Sequence, residues 1–350
     1  MPPVVRARNQ PSNHKSFCFD PMSTSREIHD HQTWLGYLQP DGLVVSPAAL
    51  VDSGLNFDRN VRPIQEDLLD HLREAQGWSG VDSPVLRDLP GYLTGFLQWP
   101  EGAIVSGDAI PNELGIFLPE YQEVIRPTQA IRNLRADENL ESVVADGFLM
   151  LVTELPAGTN FDKPTASSDR GWETTPSKRF ERLLRETGVG TGILSNGTHL
   201  RLVHAPPGEN PGSLTFPVAA MAEVTGRPIL GGFHLLLEEY RVFTAPEKET
   251  LAAILKKSRD FQAHVSTALA QQVLDGLYEL LRGLQAAHAR TGQRLLRREL
   301  EESPQTIYEA MLNVLMRLVF LLFAEDRGLM PTSSLYEQNY ALRSLYEQLR

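Results

Sequence analysis

The sequence predicts a mixed α/β domain followed by an all-helical one. Three observations carry that expectation. Residues 147–155 (GFLMLVTEL) form a near-continuous apolar run with β-branched members, the pattern of a strand buried on both faces. Asn196 and Gly197 separate two alternating runs, 191–195 and 198–203, and an Asn-Gly pair tolerates the positive φ that a two-residue hairpin turn demands. From residue 246 onward the chain reads as helices to its end.

Composition narrows the class. The chain has 350 residues, 41% hydrophobic and 22% charged, close to globular averages, which excludes a disordered or fibrous bulk. A single cysteine, Cys18, can form no internal disulfide and leaves no Cys cluster for zinc, as expected of a reducing compartment. Residues 1–25 hold no apolar run of the secretory kind. The stretch 311–324 is interrupted by Asn313 and Arg317 and falls short of the roughly 20 apolar residues a bilayer span needs. The expected location is cytoplasmic, with no membrane partner. Net charge is −11, with 20 basic and 31 acidic side chains in residues 1–245 and 13 of each in residues 246–350. A stand-alone DNA-binding protein should show a basic excess or stripe. The chain as a whole shows neither, which leaves room only for a local basic patch within a larger assembly.

Taken in order, residues 1–27 are polar and Pro/Ser-rich and predict a disordered tail. Residues 28–245 make up the α/β domain. A short helix is expected over 28–34, a turn at Gln39-Pro40-Asp41-Gly42 and a short strand over 43–46. Val61, Ile64, Leu68, Leu69 and Leu72 predict an amphipathic helix over 61–75. The Gly/Pro-rich stretch 77–119 predicts strands linked by turns. After the 147–155 strand comes a polar loop and then a helix, with Thr175 as its N-cap and Pro176 in its first turn. Phe180, Leu183 and Leu184 line its buried side, and Gly188 and Gly190 stop it. The hairpin follows, then a strand over 213–218 and a helix starting in 229–237. Residues 246–350 form the helical connector domain. Ser303 and Pro304 open one of its helices, along which Ile307, Met311, Leu315, Leu318 and Leu322 predict a buried stripe. The abrupt ending of the last helical segment predicts that this domain leads into a further one, absent from the chain.

Glu154 at the end of a buried strand, followed by loop, helix and hairpin, is the arrangement of a PD-(D/E)XK nuclease core. In such sites acidic groups at strand ends hold Mg²⁺ and a lysine orients and activates water. Asp146, ahead of the same strand, is the second candidate carboxylate, but Pro156 stands where the lysine belongs. Asp146 and Glu154 therefore read as vestigial catalytic residues of a degenerate nuclease-like sheet domain, and Mg²⁺ is a cofactor only if that site is active. Asp162, Lys163 and Lys178 join it only if the loop folds back. The plainer alternative is a structural strand with solvated acids at its ends. The glycines at 188, 190 and 192 follow a helix and precede a strand, the reverse of a phosphate-cradling order. His29, His31, His199 and His204 are lone histidines, for which surface or satisfied polar roles are the default. Ser195 lacks the Gly-x-Ser-x-Gly elbow of a hydrolase nucleophile. Lys178, Arg294, Arg297 and Arg298 are the candidate nucleic-acid contacts; for the three arginines the alternative is pairing with Glu299, Glu301 and Glu302 on a solvated face.

Three blocks, in order, resemble the front part of adenine-specific DNA methyltransferases of the type IIG restriction–methylation and DISARM phage-defence family. They are residues 31–46 (HQTWLGYLQPDGLVVS), residues 179–189 (RFERLLRETGV) with GILSNG at 192–197 and LRLV at 200–203, and residues 319–331 (VFLLFAEDRGLMP). The resemblance covers most of residues 28–345. It implies a nuclease-like domain, a helical connector and then a methyltransferase domain that uses S-adenosylmethionine. The chain has no Asn-Pro-Pro-Tyr or Asp-Pro-Pro-Tyr motif to grip a flipped adenine and no strand followed by a Gly-x-Gly turn for the cofactor. No cofactor is expected in this chain, and catalysis is not expected of it alone. The partners implied are DNA, through the full-length enzyme, and a downstream methyltransferase domain or other defence-system proteins. Two other functions stand beside this one: a Mg²⁺-dependent endonuclease using Asp146 and Glu154, and a protein-interaction scaffold without nucleic-acid contact.

Overall fold

The computed structural model describes residues 21–76, 82–119, 122–136, 146–164, 174–326, 329–331 and 333–349. The chain divides into two compact units, Met1–Phe261 and Gln262–Arg350. Ten strands occur among the described residues of the first unit: β1 (Leu72–Gln76), β2 (Asp82–Leu86), β3 (Ile104–Ser106), β4 (Ile116–Leu118), β5 (Glu123–Ile125), β6 (Gln129–Arg132), β7 (Phe148–Glu154), β8 (Thr191–Ser195), β9 (His199–His204) and β10 (Gly212–Pro217). Strands β1 and β2 form one antiparallel ribbon and β4 and β5 another; the other six form a mixed sheet in the order β10-β9-β8-β7-β6-β3. Every neighbouring pair in that sheet is antiparallel except β7 and β8, which run parallel with Leu151 opposite Gly192 and Glu154 opposite Ser195. The mixed α/β architecture expected from the sequence is present.

The helices of this unit are α1 (Pro21–Leu38), α2 (Pro47–Asp52), α3 (Arg62–Asp70), the single turn α4 (Leu89–Gly91), α5 (Pro176–Thr187), α6 (Val218–Ala222), α7 (Arg227–Leu237) and the start of α8 (Leu251–Arg290). Strand alternation divides the core in two. Met150, Val152 and Ile193 belong to a cluster with Trp34 of α1 and Leu230 and Phe233 of α7. Leu151 and Leu194 belong to the other, with Phe180, Leu183 and Leu184 of α5. Helix α5 is the crossover that lets β7 and β8 run parallel. It begins as the sequence predicts: Thr175 is extended and its side chain accepts from the Lys178 amide, Pro176 occupies the first turn, and Gly188 closes the helix at φ +78°.

Several expectations are corrected. Helix α1 starts at Pro21 and takes in the end of the supposed tail, while residues 1–20 lie outside the described residues. Residues 43–46 are no strand; Val44 and Val45 are buried in irregular chain, and the Ser46 hydroxyl caps α2 by accepting from the Ala49 amide at 3.1 Å. The helix expected over 61–75 is α3, which stops at Asp70; Leu72 already pairs with Leu86 in the β1–β2 ladder. An apolar residue four positions on satisfies helix spacing and an inward strand position equally well. The two compact units divide at Phe261/Gln262. Leu251, Ile254 and Leu255 of α8 are buried in the first core, and the Ser258 hydroxyl accepts from the Ser46 amide.

The second unit is helical, as expected: the remainder of α8, then α9 (Arg297–Glu302), α10 (Pro304–Asp326), α11 (Ser334–Asn339) and α12 (Leu342–Leu349). One Glu325 carboxylate oxygen accepts from the Tyr336 hydroxyl at 3.0 Å and from the Leu342 amide at 2.7 Å, tying α11 and α12 to the end of α10. The predicted stripe on α10 is buried at Met311 but not at Leu322, which is half exposed; Met316, Val319, Phe320 and Phe323 are exposed as well. Within Pro304–Glu325 an 18-residue window reaches a mean hydropathy of 1.8, and this is the one helix, among the described residues, long and apolar enough by length and composition to cross a membrane. It extends beyond the stretch 311–324 that the sequence marks as too short.

Candidate functional site

Open α/β sheets place ligands at the carboxyl ends of parallel strands, and β7 and β8 end on a cavity of about 350 Å³. Thr153, Leu155 and Leu194 form its floor, Phe180 and Arg179 of α5 one wall, and Glu123 and Arg126 another. An ion pair between Arg179 and Glu123 crosses it. Arg126 donates to the Ile110 carbonyl at 3.0 Å. The Thr153 hydroxyl is buried with no hydrogen-bond partner among the described residues. At the adjoining edge the Thr128 hydroxyl donates to the Val152 carbonyl at 3.1 Å and accepts from the Glu154 amide at 3.0 Å.

The two carboxylates singled out in the sequence do not meet. Because side chains alternate along a strand, Thr153 and Leu155 face the cavity while Glu154 turns to the other face, where it is exposed. Asp146 is exposed ahead of the opposite end of β7. The strand between them is about 20 Å long at roughly 3.3 Å per residue, far beyond what one metal ion can bridge. The residues present therefore do not fit a Mg²⁺ shared by Asp146 and Glu154, and among the described residues no cluster of three or more His, Cys, Asp or Glu side chains gathers anywhere.

The loop after β7 does fold back, but onto an arginine. Both Asp162 oxygens accept from Arg201 of β9, at 2.6 and 2.7 Å, and Ser177 donates to the same carboxylate at 3.0 Å. The Arg201 guanidinium lies 4.9 Å over the Phe161 ring and donates to the Thr215 hydroxyl at 2.8 Å. Its hydrogen bonds hold the Asp162 carboxyl below the usual range. This clasp borders a second cleft of about 410 Å³ that includes Asn160, Lys163 and His199. Sequence reasoning missed Arg201. Its one signal is a charged residue between Leu200 and Leu202 in an otherwise apolar strand.

The remaining candidates divide into buried and exposed. His31 is fully buried and bonded at both nitrogens, to Trp34 and to the Leu55 carbonyl. Ser195 is buried, its hydroxyl accepting from the Gly197 amide at 3.2 Å. Asn196 braces the hairpin turn, accepting from the Thr198 and His199 amides. Arg297 and Arg298 pair with Glu301 and Glu302 on an exposed face of α9, and Arg294 is exposed before it. Lys178 is exposed in the first turn of α5, in the other unit.

His204 pairs with the Thr191 hydroxyl at 3.0 Å, and burial together with the Arg259 charge lowers its pKa to about 4. An unfolded histidine binds its proton near pH 6.5, so between those values the unfolded chain holds more protons than the folded one. Stability contributed above pH 6.5 is thus lost as the pH falls toward 4, by up to about 3 kcal/mol. Urea denaturation midpoints should drop over that window, and more shallowly in His204→Gln; the same slope in the variant would refute the assignment. Comparison with protein-family models, with curated proteins and with solved structures finds no match to this chain.

Proposed function

We propose that this chain is the amino-terminal, degenerate nuclease-like and helical part of an adenine-specific DNA methylase of the restriction–methylation or DISARM type. In this reading it engages DNA or docks partners and does not act as a catalyst on its own. S-adenosylmethionine belongs to the methyltransferase domain that the reading places elsewhere. The observation that carries the proposal is the crevice at the carboxyl ends of β7 and β8. Antiparallel β6 and β7, a helical crossover and a parallel β8 build the crevice that a nuclease core would use, yet Thr153 and Leu155 line it in place of an acid and a lysine.

The experiment is incubation of the chain with linear and supercoiled duplex DNA in Mg²⁺, alongside a binding titration at increasing salt. Salt-sensitive binding without strand scission is expected. Scission that disappears in EDTA and in Glu154→Gln would replace this reading with the endonuclease one. A second reading, a scaffold for protein partners, is favoured by the exposed Met316, Phe320 and Phe323 of α10 and by the acid excess of residues 1–245. Capture of partner proteins together with no DNA binding at any salt would establish it.

A further inference from the structure

Helix α5 carries a line of cations. Lys178, Arg182 and Arg185 stand at i, i+4 and i+7 and so share one face. They line a groove of about 570 Å³ together with Thr174 and Thr175. Arg179, on the neighbouring row, reaches both this groove and the cavity at the strand ends. Among the described residues of the groove two carboxylates lie beside them. Glu186 accepts from Arg182 at 2.7 Å, and Glu181 is half-buried beside Lys178. Among the described residues four cations line the groove with two acids, and Arg179 is answered besides by Glu123 outside it, in a domain where acids otherwise prevail.

The arginines are set in place. Arg185 donates to the Glu209 carbonyl at 3.1 Å, Arg182 is held by Glu186, and Arg179 is paired with Glu123. Fixed cations lose less rotamer entropy on meeting an anion than mobile ones do. From Lys178 to Arg185 the helix rises about 10 Å, long enough to meet more than one phosphate of a duplex that carries a charge per strand about every 3.4 Å of its axis.

We infer that the cation row of α5, formed by the exposed Lys178 and the half-buried Arg182 and Arg185, is a contact for the phosphate backbone of duplex DNA. The inference rests on the reading that this chain engages DNA, and it gives that engagement a place and a chemistry. Phosphate contacts fix position without reading sequence, so the contact is indifferent to base order. Arg297 and Arg298 have the same i,i+4 pairing as Arg182, but their side chains are 74% and 80% exposed against 35%, so they are less fixed in place.

The test is fluorescence anisotropy of two unrelated 20-bp duplexes with the whole chain between 50 and 200 mM salt. Wild type is compared with the double variant Lys178→Gln/Arg182→Gln and with Arg297→Gln/Arg298→Gln. Removing two phosphate contacts should flatten the plot of log affinity against log salt by about 2 and weaken binding equally on both duplexes. The Arg297/Arg298 variant should bind as wild type. Should the double variant not fold by circular dichroism, Lys178→Gln alone touches only an exposed side chain and should flatten the slope by about 1. Wild-type binding with a loss confined to the Arg297/Arg298 variant would overturn the α5 assignment and leave the DNA reading standing. Unchanged binding in all variants would do the same. No salt-sensitive binding by wild type would remove both. Binding of polyglutamate in place of duplex would also overturn the assignment, giving the groove to an acidic protein segment.

Discussion

Trp34→Ala is expected to cost about 3–5 kcal/mol, the range for deleting a large aromatic from a closed core. Trp34 is wholly buried in α1 and packs so closely on Gly232 of α7 that a Cβ on that glycine would overlap the indole. Its loss does more than leave a void. The indole N–H can only donate, and it does so at 3.1 Å to His31 Nδ1. His31 must therefore carry its proton on Nε2, which donates to the Leu55 carbonyl at 2.8 Å. Burial lowers the His31 pKa and keeps that neutral form. Alanine at 34 would orphan a buried acceptor in addition to opening the cavity. Urea denaturation followed by tryptophan-independent circular dichroism gives the measurement, and a loss under about 1 kcal/mol would contradict the described packing of α1 on α7.

His31 also shows where the sequence could be read and where it could not. Beside His29 in a polar stretch, it reads as a surface or a satisfied polar residue, and the sequence does not say which, because the partners that satisfy it are Trp34, one turn away, and Leu55, 24 residues on. Features set by neighbours in the chain were legible. Thr175-Pro176 opens α5, Gly188 closes it, and Asn196-Gly197 turns β8 into β9. Features set by distant pairing were not. Strands β3, β4 and β5 have three residues each, too few for a period, and their existence depends on partners elsewhere. The site divides along the same line. That an acid ends β7 is visible in the sequence; that Thr153 and Leu155 face the cavity and Glu154 does not follows from the register of the whole sheet. The cation row of α5 was partly visible. Lys178 stood out, while Arg182 and Arg185 were masked by the apolar Leu183 and Leu184 between them, which mark the buried side of the same helix.

Gly192→Val should have the second large effect, and it connects the fold to the proposed contact. Gly192 sits in β8 where α5 lies closest to the sheet. A Cβ there would come within 2.5 Å of the Leu151 carbonyl oxygen in β7, 2.6 Å of Phe180 and 2.9 Å of Leu184. Leu184 can swing aside, but the carbonyl belongs to the parallel ladder and cannot move without opening it. Overpacking typically costs about 1–3 kcal/mol where side chains can adjust; with backbone on one side, the upper end, about 3 kcal/mol, is expected. The change should lift α5, raising hydrogen exchange across residues 176–187. Lys178, Arg182 and Arg185 would remain in sequence but lose their fixed footing, so duplex affinity should fall although no charge has been removed. Gly36→Ala is the control. That glycine lies in α1 with nothing within 4 Å of the added methyl, and the change should stabilise by about 0.5–1 kcal/mol. A Gly192→Val chain as stable as wild type would show that α5 does not rest on β8 through this contact.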